Sequence, residues 1–167
     1  MTVTPALGLD AGPALLRAAF RRHAAGVAVI TAPGARPAGF TATSLTSVSA
    51  EPPLISFGIG TGSSSWPAVA AASHVGVHLL GEDQSELAAT FARSGADRFA
   101  PPTRWSTGPE GVPLLDDALA RLVCRVVARV PAGDHRIVVA EVVDGDPAAR
   151  EGRPLLYQDG RFNALRD

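Results

Sequence analysis

The chain has 167 residues, 46% of them hydrophobic, which suits one domain with a sizeable core and excludes a disordered protein. The formal net charge is −1 and no basic stretch occurs, so the composition excludes a nucleic-acid-binding surface of the usual electrostatic kind. Cys124 is the single cysteine, so the chain has no internal disulfide and no cysteine-based zinc cluster, and its apolar neighbours predict a buried, unreactive thiol.

We expect residues 1–12 to form a flexible tail and residues 13–167 to form a single domain. The N-terminus lacks the basic segment followed by an apolar run that is typical of a secretory signal peptide. No apolar run approaches the roughly 20 residues that a membrane-spanning helix needs. The expectation is therefore a soluble cytoplasmic protein.

A helix is predicted over residues 11–26, where Gly26 would end it. Pro13 suits the first turn of a helix, and four apolar residues recur at helical spacing: Leu15, Leu16, Ala19 and Phe20. Short strands at 27–32 and 53–60 flank a turn at 33–37 and a segment at 38–50 that is rich in β-branched and hydroxyl side chains.

The second half of the chain alternates helices and strands before ending in strands. We predict a helix beginning near Pro67 with a serine cap, a strand at 74–80, a helix over 82–95 capped near Glu82 or Asp83, and a long loop at 96–113. Residues 118–130 fit a helix stripe and a strand face equally well. Their four valines and the turn that follows favour a strand, paired antiparallel with 135–146, and residues 154–162 read as a strand and turn.

These elements predict a mainly β fold (β+α), an antiparallel barrel with a few helices packed outside it. Regular helices do not separate the strands, which argues against a doubly wound parallel sheet. The sequence GIGTGSSS at 58–65 resembles a dinucleotide-binding fingerprint but carries Ser63 where the third glycine is needed.

Hydroxyl side chains are concentrated in residues 41–49, at Thr41, Thr43, Ser44, Thr46, Ser47 and Ser49. Small hydroxyls and exposed backbone amides can bind the edge of a flat polar ring without blocking its face. The same residue types also occur in ordinary turns and exposed strands. The residues alone leave both interpretations open.

A second cluster, Ser63, Ser64 and Ser65, precedes the helix near Pro67. Such a cluster is either an anion site, with charge added by Arg93 or Arg98, or an ordinary helix cap. No metal site is expected, because His74 and His78 would lie about 13 Å apart on a strand.

His135 follows the turn and opens an apolar strand, so its ring either faces a pocket or lies on the surface. No catalytic triad, carboxylate pair or phosphate loop with lysine occurs in the sequence. If the protein is an enzyme, a cofactor performs the chemistry.

Several segments, in this order, carry a resemblance to a known family: FRRHAAGVAVITA (20–32), PAGFTATSLTSVSAEPPLISFGI (37–59), SSSWPAV, FARSGADRF (91–99), GDHRIVVAEV (133–142) and PLLYQDGRFNAL (154–165). The chain resembles the flavin reductase family with the FMN-binding split-barrel fold. Members are short-chain NAD(P)H:flavin reductase components of two-component flavin monooxygenases.

The resemblance implies a role for each segment. Residues near the flavin ring would be Thr41, Ala42, Thr43, Ser44, Ser47, Val48 and Ser49. Residues near the flavin phosphate would be Ser63, Ser64 and Ser65, with Phe91, Ala92 and Arg93 in the same region. His135 would act on the nicotinamide side, and Tyr157, Arg161 and Phe162 would lie near the pocket.

The implied cofactor is FMN or FAD, with NADH or NADPH as cosubstrate, and the implied partners are a second copy of the chain and a monooxygenase supplied with reduced flavin. Gly58, Gly60 and Trp66 depart from the commonest pattern of the family. Two alternatives remain at this stage: a split-barrel oxidoreductase that retains FMN and acts on an organic substrate, and a non-catalytic flavin-binding protein.

Overall fold

The computed structural model describes residues 11–167 and contains three α-helices, one short 3-10 helix and twelve strands within them. The helices are α1 (Ala11–Phe20), α2 (Trp66–Ala71) and α3 (Ser85–Ala92), and the 3-10 helix is Pro109–Gly111. The strands are β1 (Ala25–Gly26), β2 (Ala28–Ala32), β3 (Ala38–Ala42), β4 (Thr46–Ser49), β5 (Leu54–Gly60), β6 (His74–Leu79), β7 (Trp105–Thr107), β8 (Pro113–Leu115), β9 (Ala120–Ala132), β10 (His135–Asp146), β11 (Leu155–Gln158) and β12 (Arg161–Ala164).

A seven-stranded antiparallel sheet forms the body of the protein, in the order β3-β2-β6-β9-β10-β5-β4. A three-stranded sheet, β1-β11-β12, and the hairpin β7-β8 lie beside it. The predicted mainly β, antiparallel architecture with a few helices is confirmed. Within the described residues β3 and β4 remain the edges of the large sheet, so the sheet does not close into a complete barrel.

β2 lies between two apolar clusters and is buried along its whole length. Ile30 and Ala32 belong to the cluster that contains Phe57 of β5, whereas Val29 belongs to the cluster around Phe91 of α3. A strand buried on both faces needs a continuous apolar run, which explains the sequence VAVITA. β5 instead alternates buried and partly exposed residues, because one of its faces looks away from the core.

The β9–β10 hairpin confirms the strand prediction for residues 118–130. The two strands pair from His135 and Ala132 at the turn to Asp146 and Arg121, with bulges on the way. Cys124 on β9 is fully buried, as predicted, and burial raises the pKa of its thiol to about 12, which disfavours the reactive thiolate.

Two helix predictions were wrong in their bounds. The first helix ends at Phe20 instead of Gly26, because Ala25 and Gly26 pair with Tyr157 and Leu156 of β11. The cap of α3 is not Glu82 or Asp83: Gln84 precedes the helix, and its side-chain oxygen accepts the backbone N–H of Gly81.

The predicted loop at 96–113 is also only partly irregular, since it contains β7 and the 3-10 helix. The predicted tail at 1–12 lies outside the described residues except for Ala11 and Gly12, which begin α1. No helix within residues 11–167 is long and apolar enough to cross a membrane.

His78 of β6 is fully buried and both of its ring nitrogens have backbone partners. Nδ1 lies 3.0 Å from the carbonyl oxygen of Val29, and Nε2 accepts the N–H of Leu115 at 3.0 Å. The ring therefore joins the large sheet to the β7–β8 hairpin in its neutral form. Burial lowers the pKa of His78 from 6.5 to about 4.

This buried histidine predicts a loss of stability in mild acid. Below pH 6.5 the unfolded chain binds a proton at His78 that the folded chain does not bind until about pH 4. The free energy of unfolding should therefore fall over this interval, by up to roughly 3 kcal/mol. Urea unfolding between pH 7 and pH 4 measures the loss, and His23→Gln, at an exposed position, is the matched control.

The control should lose as much stability as the wild type, and His78→Gln should lose much less over the same interval. The NMR signals of the His78 ring give an independent reading in the unmodified protein. A His78 ring that titrates near pH 6.5 in the folded state would contradict this account.

Candidate active site

The backbone of β3 is hydrogen bonded to one neighbour, β2, and its other edge is the edge of the sheet. The carbonyl oxygen of Gly39 points to that edge, because it accepts hydrogen bonds from Ser65 Oγ at 2.9 Å and from Arg98 Nη1 at 2.7 Å. The N–H and C=O of one residue in an antiparallel strand point to the same side, and alternate residues point alike. The backbone groups of Thr41 therefore also lie on the edge of β3.

Arg98 joins three segments at one end of this edge. Its Nη1 contacts the Gly39 carbonyl and the hydroxyls of Ser65 at 3.0 Å and Ser64 at 3.4 Å, while its Nη2 donates to the carbonyl of Arg93 at 3.1 Å. The Nε of Arg98 is buried and has no hydrogen-bond partner among residues 11–167. The side chain is partly buried, which lowers its pKa somewhat from the usual value.

A cavity of about 360 Å³ lies at the same end of β3, and its lining includes Arg36, Ser64, Ser65, Asp97 and Arg98. Two guanidinium groups and two hydroxyls suit a phosphate-like anion, because arginine binds such groups with two parallel hydrogen bonds. Asp97 places one carboxylate at the same cavity, which partly offsets the positive charge.

Ser65 is the N-cap residue of α2, as predicted, but its side chain makes no capping hydrogen bond. The residue stands directly before the helix, but its hydroxyl donates to Gly39 and the helix has no side-chain cap. Ser63 instead accepts the N–H of Ser65 at 3.2 Å. The serines therefore join α2 to β3.

Gly39 has to be a glycine because the ring of Phe91 packs against its backbone. A Cβ at this position would lie 2.8 Å from the Cε1 of Phe91 and 3.0 Å from the carbonyl oxygen of Ile30. α3 can therefore pack directly on β3, which brings Arg93 and Arg98 to the strand edge.

A second cleft, of about 640 Å³, lies at the other end of β3. Its lining includes Phe20, His23, Thr43, Ser44 and Tyr157. The rings of Phe20 and His23 are tilted against each other at 5.4 Å. Gly39 and Thr43 are four residues apart, so about 13 Å of extended strand separates this cleft from the cavity at Arg98.

Ser44 connects the second cleft to β5. Its hydroxyl accepts the N–H of Gly58 at 2.9 Å and lies 3.4 Å from the carbonyl oxygen of the same residue. Thr46 of β4 pairs with Ser56 of β5, so Ser44 stands opposite Gly58 in the same register. The Ser44 hydroxyl, just before β4 begins, thus makes the contacts with Gly58 that a backbone partner would otherwise make.

His135 lies over two glycines of β5, Gly58 and Gly60, which we call the glycine floor. A Cβ on Gly60 would lie 3.8 Å from Cε1 and Nε2 of the ring, and a Cβ on Gly58 would lie 3.9 Å from its Cδ2. The ring is therefore separated from the backbone of β5 by about the thickness of one methyl group, because neither glycine carries a side chain. The Cβ on Gly58 would also lie 3.6 Å from Ser44 Oγ, so His135 and Ser44 adjoin the same space.

The opposite side of the His135 ring contacts Asp134, whose Oδ1 lies 2.8 Å from Nδ1. This hydrogen bond lowers the pKa of Asp134. The backbone of Asp134 is held in turn by Thr61, whose N–H and hydroxyl both reach the Asp134 carbonyl, at 2.9 and 3.2 Å.

The remaining predicted residues are dispersed around these two clefts. Ala42 and Phe91 are buried in the core, and the hydroxyl of Thr41 donates to the carbonyl of Ala88 at 2.6 Å. Ser47, Val48 and Ser49 lie on the edge strand β4 and do not line either cleft. Three further predicted residues are exposed. Ala92 and Arg93 follow Phe91 at the end of α3, and Arg161 lies on β12 beside the partly buried Phe162.

Four residues that line the clefts had no clear signal in the sequence: Phe20, His23, Arg36 and Arg98. Phe20 and His23 belonged to a predicted helix face, and Arg36 to a turn. Arg98 was considered only as a source of charge. Within residues 11–167, no group of three or more histidine, cysteine or carboxylate side chains could hold a metal ion.

Comparison with known proteins identifies a family over most of the chain. Residues 20–166 match the model of the flavin reductase like domain. The chain is 44% identical to an NADH:FMN oxidoreductase of Rhodococcus qingshengii, over 97% of this chain and 86% of the relative.

Two further proteins extend the comparison. The reductase component of a 4-nitrophenol 4-monooxygenase/4-nitrocatechol 2-monooxygenase of Rhodococcus opacus is 41% identical, over 83% of this chain and 74% of the relative. The structure of an NADH:FAD oxidoreductase of Streptomyces globisporus, in complex with NAD and FAD fragments, superposes with a TM-score of 0.86 at 33% identity, covering 96% of this chain and 97% of that one.

Proposed function

The chain belongs to the flavin reductase-like domain family, and we propose that it is an NAD(P)H:flavin oxidoreductase that supplies reduced FMN or FAD to a partner monooxygenase. One observation supports this most directly. The cluster around Arg98 lies at one end of the edge of β3, and Ser44, which follows the other end, adjoins the space over Gly58 that His135 faces. Such a site suits an elongated ligand with a phosphate at one end and a planar ring at the other.

The residues present fit a flavin nucleotide. The Arg98 guanidinium offers cationic donors for the phosphate and Ser64 offers a hydroxyl donor, whereas the Ser65 hydroxyl already donates to Gly39. The buried Nε of Arg98 has no partner within the described residues. The edge of β3 and the hydroxyls of Thr43 and Ser44 offer donors and acceptors for the polar side of the ring.

We assign the predicted residues as follows. Thr41, Ala42, Thr43 and Ser44 bind the ring through backbone and hydroxyl groups, with Ser47, Val48 and Ser49 beyond them on β4. Ser63, Ser64 and Ser65 bind at the phosphate end, and Phe91, Ala92 and Arg93 support that end. Tyr157 and Arg161 bound the cleft on the side of β11 and β12.

When bound, the flavin supplies the redox chemistry, since it accepts a hydride from the reduced nicotinamide and passes the electrons on. The protein supplies position: the glycine floor leaves one ring face accessible, and His135 orients the nicotinamide beside it. No acid or base of the protein is required for the hydride step. Reduced nicotinamide nucleotides are cytoplasmic metabolites, and we propose that the protein acts there.

We further propose that the protein is a homodimer. Val130 of β9 pairs with Ile137 of β10, and Ile137 pairs with Gly58 of β5, so the three residues form one row on the face that bears His135. Val130 is 46% exposed and Ile137 is 42% exposed. No element within residues 11–167 covers this row, and uncovered apolar strand faces of this kind are typical of interfaces.

The proposed function predicts turnover by the purified protein. Absorbance at 340 nm should fall when NADH or NADPH is mixed with FMN, FAD or riboflavin, at a rate that scales with the added flavin. Flavin binding by fluorescence quenching without turnover of any pair would contradict the proposal. It would favour an enzyme that retains FMN for an organic substrate, or a non-catalytic flavin-binding protein.

In the same assay His135→Ala should raise the KM for the nicotinamide nucleotide by about tenfold, the value of one lost hydrogen bond. The Kd for flavin should stay unchanged. His74→Ala, at a histidine on β6 away from Gly58 and Gly60, is the control. Equal losses of nucleotide and flavin affinity would remove His135 from this role.

A further prediction concerns Arg98. Arg98→Met should raise the Kd for FMN roughly 10- to 100-fold, because a charge-assisted hydrogen bond to the phosphate is lost. It should change the Kd for riboflavin, which has no phosphate, by much less. Arg104→Met, at an exposed arginine outside both clefts, controls for loss of charge. Equal effects on FMN and riboflavin would show that Arg98 only supports the fold.

The proposed homodimer gives a separate prediction. In analytical ultracentrifugation the wild type should sediment with twice the mass of one chain, and Ile137→Asp should shift the equilibrium toward the monomer. A charge at this row would have to be buried without a partner. Leu165→Asp, at an exposed C-terminal position, should leave the dimer intact. A monomeric wild type would refute the homodimer and leave the reductase proposal standing.

A further inference from the structure

The pair formed by Asp134 and His135 is not explained by stability. The side chain of Asp134 is 95% exposed and that of His135 is 55% exposed. Exposed charged pairs contribute little to the free energy of folding, because water competes for both partners. The contact is nevertheless well defined, since the turn that bears it is fixed from two sides.

Two features of the backbone fix that turn. Gly133 has a φ of +62°, a conformation that favours glycine, and this lets β9 return directly into β10. The Asp134 carbonyl accepts both the N–H and the hydroxyl of Thr61 at the end of β5. The carboxylate of Asp134 is thereby held beside Nδ1 of the His135 ring.

The chemistry of this contact determines where the histidine carries its proton. An ionised carboxylate only accepts hydrogen bonds, so the proton of the neutral ring must lie on Nδ1. The other nitrogen, Nε2, then presents a lone pair. Nε2 has no hydrogen-bond partner within the described residues, and its edge of the ring faces the glycine floor beside Ser44.

We propose that Asp134 is a positioning residue that holds His135 in the Nδ1–H form, so that Nε2 accepts a hydrogen bond from the nicotinamide carboxamide above the glycine floor. The carboxamide carries both an N–H₂ donor and a carbonyl acceptor, and the Nδ1–H form of the ring selects the orientation in which the N–H₂ group faces Nε2. This inference rests on the proposed function for the identity of the ligand. The form of the ring is a property of the protein alone.

The test begins without any ligand. In ¹⁵N-labelled protein at pH 8, above the ordinary pKa of histidine, long-range ¹H–¹⁵N spectra distinguish a protonated Nδ1 from a protonated Nε2. His135 of the wild type should be protonated on Nδ1, with the signal assigned by its loss in His135→Ala. Asp134→Ala should move the ring toward the Nε2–H form, and Glu151→Ala, at an exposed carboxylate, should not.

The second part of the test measures kinetics. Asp134→Ala should raise the KM for NADH by up to about tenfold, with the Kd for FMN unchanged. In a double-mutant cycle the same substitution should have no further effect in the His135→Ala background, because Asp134 acts only through His135. Circular dichroism should show the same fold for all variants, since both side chains are exposed.

Two results would overturn the inference: an unchanged Nδ1–H form in Asp134→Ala, or equal effects of this substitution with and without His135. A wild type that fails to oxidise NADH with any flavin would refute the proposed function instead. The NMR result would still decide whether Asp134 fixes the histidine ring.

Discussion

The hydrogen bonds that the carbonyl oxygen of Gly39 accepts hold the segments of the candidate site together. Its hydrogen bonds from Ser65 and Arg98 join the edge of β3, the segment before α2 and the loop after α3. These three segments are 26 and 59 residues apart in sequence, so none positions another locally. The contact is partly buried, and a buried carbonyl left without donors costs about 1–3 kcal/mol. The same contact orients the Arg98 guanidinium toward the cavity it lines.

The two ends of the strand edge are built differently, and the difference matches the groups they would bind. At the Arg98 end the donors are fixed by mutual hydrogen bonds, which suits a phosphate of constant charge and shape. At the His135 end the ring is half exposed, stands above a strand without side chains, and is bonded to a neighbouring carboxylate. A site that must admit a nicotinamide and release it again requires such access.

In the proposed homodimer, the bare face of β5 would also link the site to assembly. Gly58 and Gly60 share that face with Ile137 and Val130, so the surface beside the histidine is apolar and uncovered within residues 11–167. A second copy of the chain placed there would exclude water from the nicotinamide side of the site. Binding and assembly would then use one surface.

Periodicity and composition correctly predicted the elements whose conformation is set by their own residues. The buried run of β2, the alternation of β5 and the valines of β9 predicted the antiparallel, mainly β fold, and the hydroxyls at 41–49 and 63–65 marked both ends of the strand edge. Helix ends were missed where a distant strand competed, as when β11 paired with Ala25 and Gly26. The destination of a side chain was not readable either: Ser65 resembled a helix cap, and Arg98 was one of many arginines.

The sequence by itself determined which residue types were available for a site, because local pattern reflects local conformation. Only the tertiary structure decided which of them meet, because the contacts of Gly39 with Arg98 and of Ser44 with Gly58 join residues that no periodicity relates.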